Sequence, residues 1–135
     1  MDKALNYLAI ARKAGLAELG EEPVGAVTRA GKGYLVLVAS DASDHTWRRA
    51  KSFVAGTEQQ CVRLPYSKDE MGMAVGRSSL AIAAVTDAPL ALALVKSLPD
   101  GDAAAEEALS RRTEKLNQRK KEARAHQRNL RKGKK

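Results

Sequence analysis

Half of the basic residues in this chain are packed into its last 25 positions. The segment RRTEKLNQRKKEARAHQRNLRKGKK, Arg111 to Lys135, holds 12 of the 24 Lys and Arg residues against only Glu114 and Glu122. The other 110 residues carry 12 basic and 14 acidic side chains and are close to neutral. A stretch with that density of like charge cannot enter a core, because unpaired charges are costly to desolvate. The fold must therefore be built upstream, with the basic segment as an appendage. A dense array of phosphates suits such a segment, since each neutralised phosphate releases condensed counterions. An anionic membrane suits it less, because the tail has too few apolar residues for an amphipathic anchor. A solvated, disordered extension is the alternative. The charge pattern favours nucleic acid.

At 135 residues the chain has room for one compact domain and that appendage. Met1-Asp2-Lys3 leads into an amphipathic segment, so no secretory signal is expected, and no run approaches the roughly 20 apolar residues that span a bilayer. Cys61 is the only cysteine, which rules out an internal disulfide and makes a reducing cytoplasm the expected compartment. The aromatic residues are Trp47, Phe53, Tyr7, Tyr34 and Tyr66, too few for a fold that reads bases by stacking on a sheet.

Patterning predicts helices alternating with strands. Lys3 to Lys13 places Leu5, Leu8 and Ala9 on one helical face, and Gly15 ends the helix. A short strand at Leu16 to Leu19 precedes a helix opened by Glu21 and Glu22, whose charge suits a helix N-terminus, with Pro23 in the first turn. Val24 and Val27 point inward, and Gly31-Lys32-Gly33 closes that helix. Tyr34 to Ala39 is a continuous apolar run, as in a central strand covered on both faces. Ser40 to Asp44 supplies a cap for a helix bearing Trp47, Ala50, Phe53 and Val54, and a shorter strand follows at Cys61 to Leu64.

Ser67 and Glu70 form a capping box ahead of Met71, Ala74 and Val75. Leu80 to Val85 is a buried strand, and Asp87 caps a helix that turns Leu90, Ala93 and Leu94 to the core. The expected architecture is a three-layer α/β/α sandwich around a small mixed sheet of about four strands, with a C-terminal basic helical extension. The pattern leaves the strand order open. The expected division is a domain at 1–98, a linker at 99–102 (Pro99-Asp100-Gly101-Asp102), and a tail at 103–135. The tail has no Gly or Pro from Ala103 to Leu130 and should form one helix. Leu109, Leu116, Ala123 and Leu130 recur every seven residues without a second apolar position. A lone or partner-docked helix is expected over a coiled coil.

Nothing in this pattern nominates a reaction, a cofactor or a small-molecule substrate. Cys61 lies in an apolar strand away from either His, as an inert thiol would. His45 and His126 are too dispersed to hold a metal with it. Gly31-Lys32-Gly33 lacks the spacing of a phosphate-cradling loop. Asp41 and Asp44 are better explained as caps than as paired catalytic carboxylates.

The phrases ALNYLAIARKAGLAELGEE, LVLVASDAS and VGRSSLAIAAVTD, spread over about residues 3 to 98, resemble the kink-turn-binding ribosomal proteins of the L-seven-Ae type. Within them the chain looks like the small bacterial YlxQ branch. The resemblance implies an α/β/α sandwich that binds RNA without chemistry. It implies contacts from the start of the second helix at Gly20, Glu21 and Glu22, from the Gly25 and Arg29 positions of that helix, and from Lys68 opening the fourth helix. The loop Arg77-Ser78-Ser79 stands where the family covers an extruded nucleotide with an apolar loop. Glu22, Arg29 and Lys68 keep the family's residue types. Glu21 stands in place of an Asn and Gly25 in place of a Lys, so one donor and one cation are missing. Lys68 and Arg29 are expected on one face, with solvated surface charge as the alternative for them and for Arg77.

Beyond the resemblance, Arg111, Arg112, Arg119, Lys120, Lys121, Arg124, Arg128 and Arg131 of the tail are expected to meet phosphates. The partner implied is structured RNA, such as ribosomal RNA or the ribosome, bound by a protein otherwise monomeric, with no membrane involved. The competing expectation is a protein-interaction adaptor of the same fold. It would have lost RNA contact through Glu21 and Gly25, and would dock its tail on an acidic partner.

Overall fold

The apolar run predicted as a central strand is the centre of the molecule. In the computed structural model, which describes the backbone of residues 2–132 and the side chains of residues 2–126, β2 (Leu35–Val38) has all four side chains buried. A strand covered on both faces needs a partner at each edge and a helical layer on each side. Its partners are β4 (Ile82–Val85), antiparallel, and β3 (Gln60–Arg63), parallel. β1 (Ala17–Leu19) adds to β4 in antiparallel register, giving the order β1-β4-β2-β3 in one mixed four-stranded sheet.

Successive side chains leave opposite faces of a strand, and the two faces have different tenants. Val36, Val38, Ile82 and Ala84 face α2 (Glu21–Arg29) and α3 (Asp44–Val54), which contribute Val24 and Ala50 with Trp47 and Phe53 at the margin. Leu35, Leu37, Ala83 and Val85 face α1 (Lys3–Lys13), α4 (Lys68–Ala74) and α5 (Ala88–Lys96). The architecture is therefore the three-layer α/β/α sandwich that the alternation of elements predicts.

The helix starts obey local chemistry. Ser67 accepts from the Glu70 amide while the Glu70 carboxylate accepts from the Ser67 amide, closing the capping box. Ser43 caps α3, and Asp87 Oδ2 accepts from Leu90 N at 3.0 Å. The inward faces differ in detail from the pattern. Ala4, Leu5, Leu8 and Ala11 form the buried stripe of α1, leaving Ala9 at its margin. In α5 the buried residues are Ala88, Ala91, Leu94 and Val95, whereas Leu90 and Ala93 are half-buried. The cause is tertiary: α5 packs against α1 on one side and a further helix on the other, so its buried face is set by two neighbours.

That further helix is α6 (Ala103–Lys132), opened by Asp102, whose carboxylate accepts from Ala105 N at 3.0 Å. Ala105 and Leu109 are buried in the same core as α1 and α5. Leu116 is half-buried and Ala123 exposed. Leu109 and Leu116 thus dock onto the chain's own domain, Ala123 does not, and Leu130 lies outside the described side chains.

One buried polar side chain locks the layers. Gln59 accepts from Gly33 N at 2.8 Å and donates to Thr28 O at 3.1 Å, tying the end of α2 to the start of β3. Both ends of its amide are satisfied, so its burial is not penalised.

The sheet has two functionally different ends. At one, here the loop end, lie the β1–α2 junction, the β2–α3 and β3–α4 loops, and the α4–β4 loop. At the other, the far end, lie Leu16, Tyr34, Gln60 and Thr86.

Candidate nucleic-acid interface

The loop end is stitched by backbone hydrogen bonds, so its side chains project from a fixed frame. Gly20 has φ 99°, a conformation open to glycine and strained for side chains, and its N–H donates to Ile82 O at 3.0 Å. The start of α2 is thereby pinned to the start of β4. Ala39 N donates to Ala81 O at 2.9 Å and Ser40 N to Tyr66 O at 2.8 Å, drawing in the other two loops. Lys68 opens α4 with its N–H donating to Asp41 Oδ1 at 2.8 Å, and its carbonyl accepts from Leu80 N at 3.0 Å.

The Arg77-Ser78-Ser79 loop lies directly on α4. A Cβ built on Gly72 would stand 2.7 Å from Arg77 O and 2.8 Å from Ser79 N, so that residue must be glycine for the loop to seat. Arg77, Ser78 and Ser79 are all exposed. The fold therefore brings together Gly20, Glu21, Lys68 and residues 77–79, from three stretches distant in sequence.

Arg29 is not part of that cluster. It occupies the last turn of α2, in the layer opposite α4, and its guanidinium folds back to Gly25. It does not share a face with Lys68 as expected, because α2 and α4 cover opposite sides of the sheet. Gly25 is buried: a Cβ there would sit 3.2 Å from Phe53 Cζ and 3.3 Å from Arg29 Nη1. The missing side chain at this position lets α3 approach α2. Glu22 is exposed at the first turn.

Glu21 is not a bare negative charge. Arg49 Nε donates to its Oε1 at 2.6 Å, and the Arg49 guanidinium lies 5.3 Å from the Phe53 ring. Both side chains are more than a third exposed, so the pair contributes about 0–1 kcal/mol to stability. Its larger effect is local neutrality beside the start of α2. Sequence reasoning missed Arg49 because its partner lies 28 positions away. It also missed the neighbouring cations on Trp47, where Arg63 lies 4.9 Å and Lys51 5.4 Å from the ring.

The basic segment is organised differently. Arg111 pairs with Glu107 at 3.3 Å along the helix. Arg112 and Lys115 both engage Glu58, and Arg112 also lies over Tyr34 at 5.4 Å. The bond from Arg112, and then the charge of Lys115, hold the Glu58 carboxyl below the usual carboxylate range. Between Glu58 and α6 lies a groove of about 250 Å³, flanked by Thr57, Gln60 and Ala108. From Asn117 to His126 every described side chain is exposed, and Arg119, Lys120, Lys121 and Arg124 have no ion-pair partner among the described residues. Arg128 and Arg131 lie outside the residues whose side chains are described.

Cys61 is half-buried in β3, and burial pushes its thiol up to about 11, against a small opposing effect of Lys51. At neutral pH it is a thiol, not a nucleophilic thiolate. Among the described residues no helix is long and apolar enough to cross a membrane.

A mixed sheet in the order β1-β4-β2-β3, helices on both faces and a glycine-opened second helix beside the α4–β4 loop define the class: a three-layer α/β/α sandwich with a fixed loop end. Solved structures share it. A protein of unknown function from Bacillus halodurans C superposes with a TM-score of 0.66 at 24% identity, over 79% of this chain and 99% of that one. The Giardia lamblia 15.5kD RNA binding protein does so with a TM-score of 0.60 at 19% identity, over 78% of this chain and 85% of that one. At those identities the likeness is one of fold. No family model matches the sequence. The RNA-binding protein YlxQ of Enterococcus faecium is 35% identical over 75 residues, 56% of this chain and 72% of that protein. The chain belongs to the YlxQ family.

Proposed function

We propose that the protein binds structured RNA without chemistry, through the loop end of its sandwich and the basic part of α6. The observation that carries this is the convergence of Gly20, Lys68 and Arg77-Ser78-Ser79 on one backbone-stitched surface. The YlxQ relative is named as an RNA-binding protein, and the cations of α6 add a sequence-independent attraction to phosphate. The finer reading is a kink-turn-like element or a segment of ribosomal RNA, bound in the cytoplasm by a protein that associates with the ribosome. Neutralisation of Glu21 by Arg49 speaks against an adaptor that lost its RNA through that carboxylate.

The test is affinity of the full chain for a folded RNA and for a DNA duplex of equal length across a salt series. Preference for RNA should widen as salt rises, because the contribution of α6 is screened first. Equal affinity at every salt concentration overturns the proposal. A kink-turn hairpin against its unkinked version decides the finer reading.

A further inference from the structure

We infer that the protein holds two separate RNA segments at once, one at the loop end and one along α6 beyond Leu116, and so bridges them. This rests on the RNA-binding function proposed above and goes beyond it, from a single binding surface to two.

The first observation is where α6 begins and where it leaves. Its linker lies at the loop end: Leu98 to Gly101 border Ser40, Leu64 and Pro65. The helix then descends the domain, burying Ala105 and Leu109. Thr113, Leu116 and Asn117 emerge beside Tyr34, Thr86 and Asp87 at the far end. At the helical rise, Ala103 to Arg119 spans about 24 Å, and Asn117 to Lys132 extends about as far again beyond the domain. The tail cations without an ion-pair partner among the described residues, from Arg119 on, thus start at the end of the molecule opposite Lys68 and Arg77.

The second observation is the charge between the two ends. Arg111 pairs with Glu107, Arg112 and Lys115 share Glu58, and Glu106 and Glu114 add two more negative charges to the same stretch of α6. The part of α6 lying against the domain is therefore close to neutral, so α6 itself offers no continuous cationic track from one end to the other. A separation of about 24 Å is also more than twice the screening length of about 8–10 Å at physiological salt. A short RNA seated on the loops therefore neither reaches nor repels a second one on the tail.

The test uses the full chain with two short labelled RNAs, a kink-turn hairpin carrying a donor fluorophore and a plain RNA duplex carrying an acceptor. Bridging predicts a ternary complex, seen as energy transfer that needs protein and rises then falls as protein is added in excess. Charge reversal at the loops, Lys68→Glu with Arg77→Glu, should cut the ternary complex at least tenfold. So should neutralisation of the tail, Arg119→Gln, Lys120→Gln, Lys121→Gln and Arg124→Gln. If saturating hairpin displaces the duplex from the wild-type chain, the two RNAs share one site and the bridging inference is wrong, while RNA binding stands. If the loop variant keeps the full ternary signal, the tail alone holds both RNAs, and bridging between two ends is again overturned without touching RNA binding. If neither RNA binds the wild-type chain, the proposed function falls and bridging falls with it.

Discussion

The two ends of this molecule present cations in opposite ways. At the loop end, Lys68 and Arg77 stand on backbone held by hydrogen bonds among four loops, with Asp41 and an Arg49–Glu21 pair around them. Past Leu116, Arg119, Lys120, Lys121 and Arg124 stand exposed on one helix, without an ion-pair partner among the described residues, and only Lys120 borders the domain, beside Tyr34 and Asp87. Few charges in a rigid setting can discriminate between RNA shapes; many charges without a setting can only attract phosphate. Under the proposed RNA-binding function, selectivity would belong to the folded end and affinity to the other.

Removing the tail should have the largest effect, and where it is cut matters. Truncation after Leu116 removes nine Lys and Arg residues but leaves Ala105 and Leu109 in the core. Affinity for every RNA should fall, and the slope of log K against log salt should become shallower by about 3 to 6 units, given ~0.7–0.9 per phosphate contact. The ratio between preferred and scrambled RNA should survive. Loss of that ratio with an intact salt slope would reverse the assignment of the two ends.

Cutting at the linker instead would confuse binding with folding, because the first turns of α6 belong to the core. Leu109→Ala, at a site 2% exposed, should cost about 2–5 kcal/mol in denaturant unfolding. A cost under about 0.5 kcal/mol would mean that α6 is not docked in solution.

At the loop end, Lys68→Glu and Arg77→Glu should each weaken RNA binding by about 1–3 kcal/mol. Thermal unfolding should barely change, since exposed charges contribute little to stability. The Arg29→Glu variant sharpens the comparison: standing apart from the loop cluster, it should weaken binding less than either. A larger loss there would move the RNA surface onto the α2–α3 layer.

The smallest effect is expected at Glu58, where the neutral belt meets the tail. Its pKa is lowered in the folded chain, so its contribution is present above the ordinary carboxylate pKa of 4.5 and is lost as pH falls through the lowered value. Amide exchange protection around Arg112 to Leu116, compared at matched intrinsic exchange rates, should therefore hold from neutrality to about pH 5 and decline in stronger acid. In Glu58→Gln that protection should already be reduced at pH 7. Identical protection in the variant at every pH would show that Ala105 and Leu109 alone seat the helix.

Local chemistry was legible in the chain because its causes are local. The capping box at Ser67 and Glu70, the cap at Asp87, the buried strand within Tyr34 to Ala39 and the uninterrupted helix after Ala103 each follow from a few neighbouring residues. The expected class of partner likewise rests on local composition, since ten net positive charges in 25 residues need no fold to attract phosphate. What depends on distant pairs was not legible. In the sequence Glu21 is only a missing donor, because its partner Arg49 lies 28 positions on. Gly25 is only a missing cation in the sequence, whereas the structure packs Phe53 against it. The apolar heptad of α6 leaves a lone helix and a partner-docked one both open, and the pairing of Arg112 with Glu58, 54 positions away, leaves no mark in the pattern. Strand order, the meeting of Gly20 with Lys68 and Arg77, and the exit of the basic helix at the opposite end were decided only by tertiary packing. Periodicity records which side of an element is apolar, and only burial against a particular neighbour fixes what that side touches.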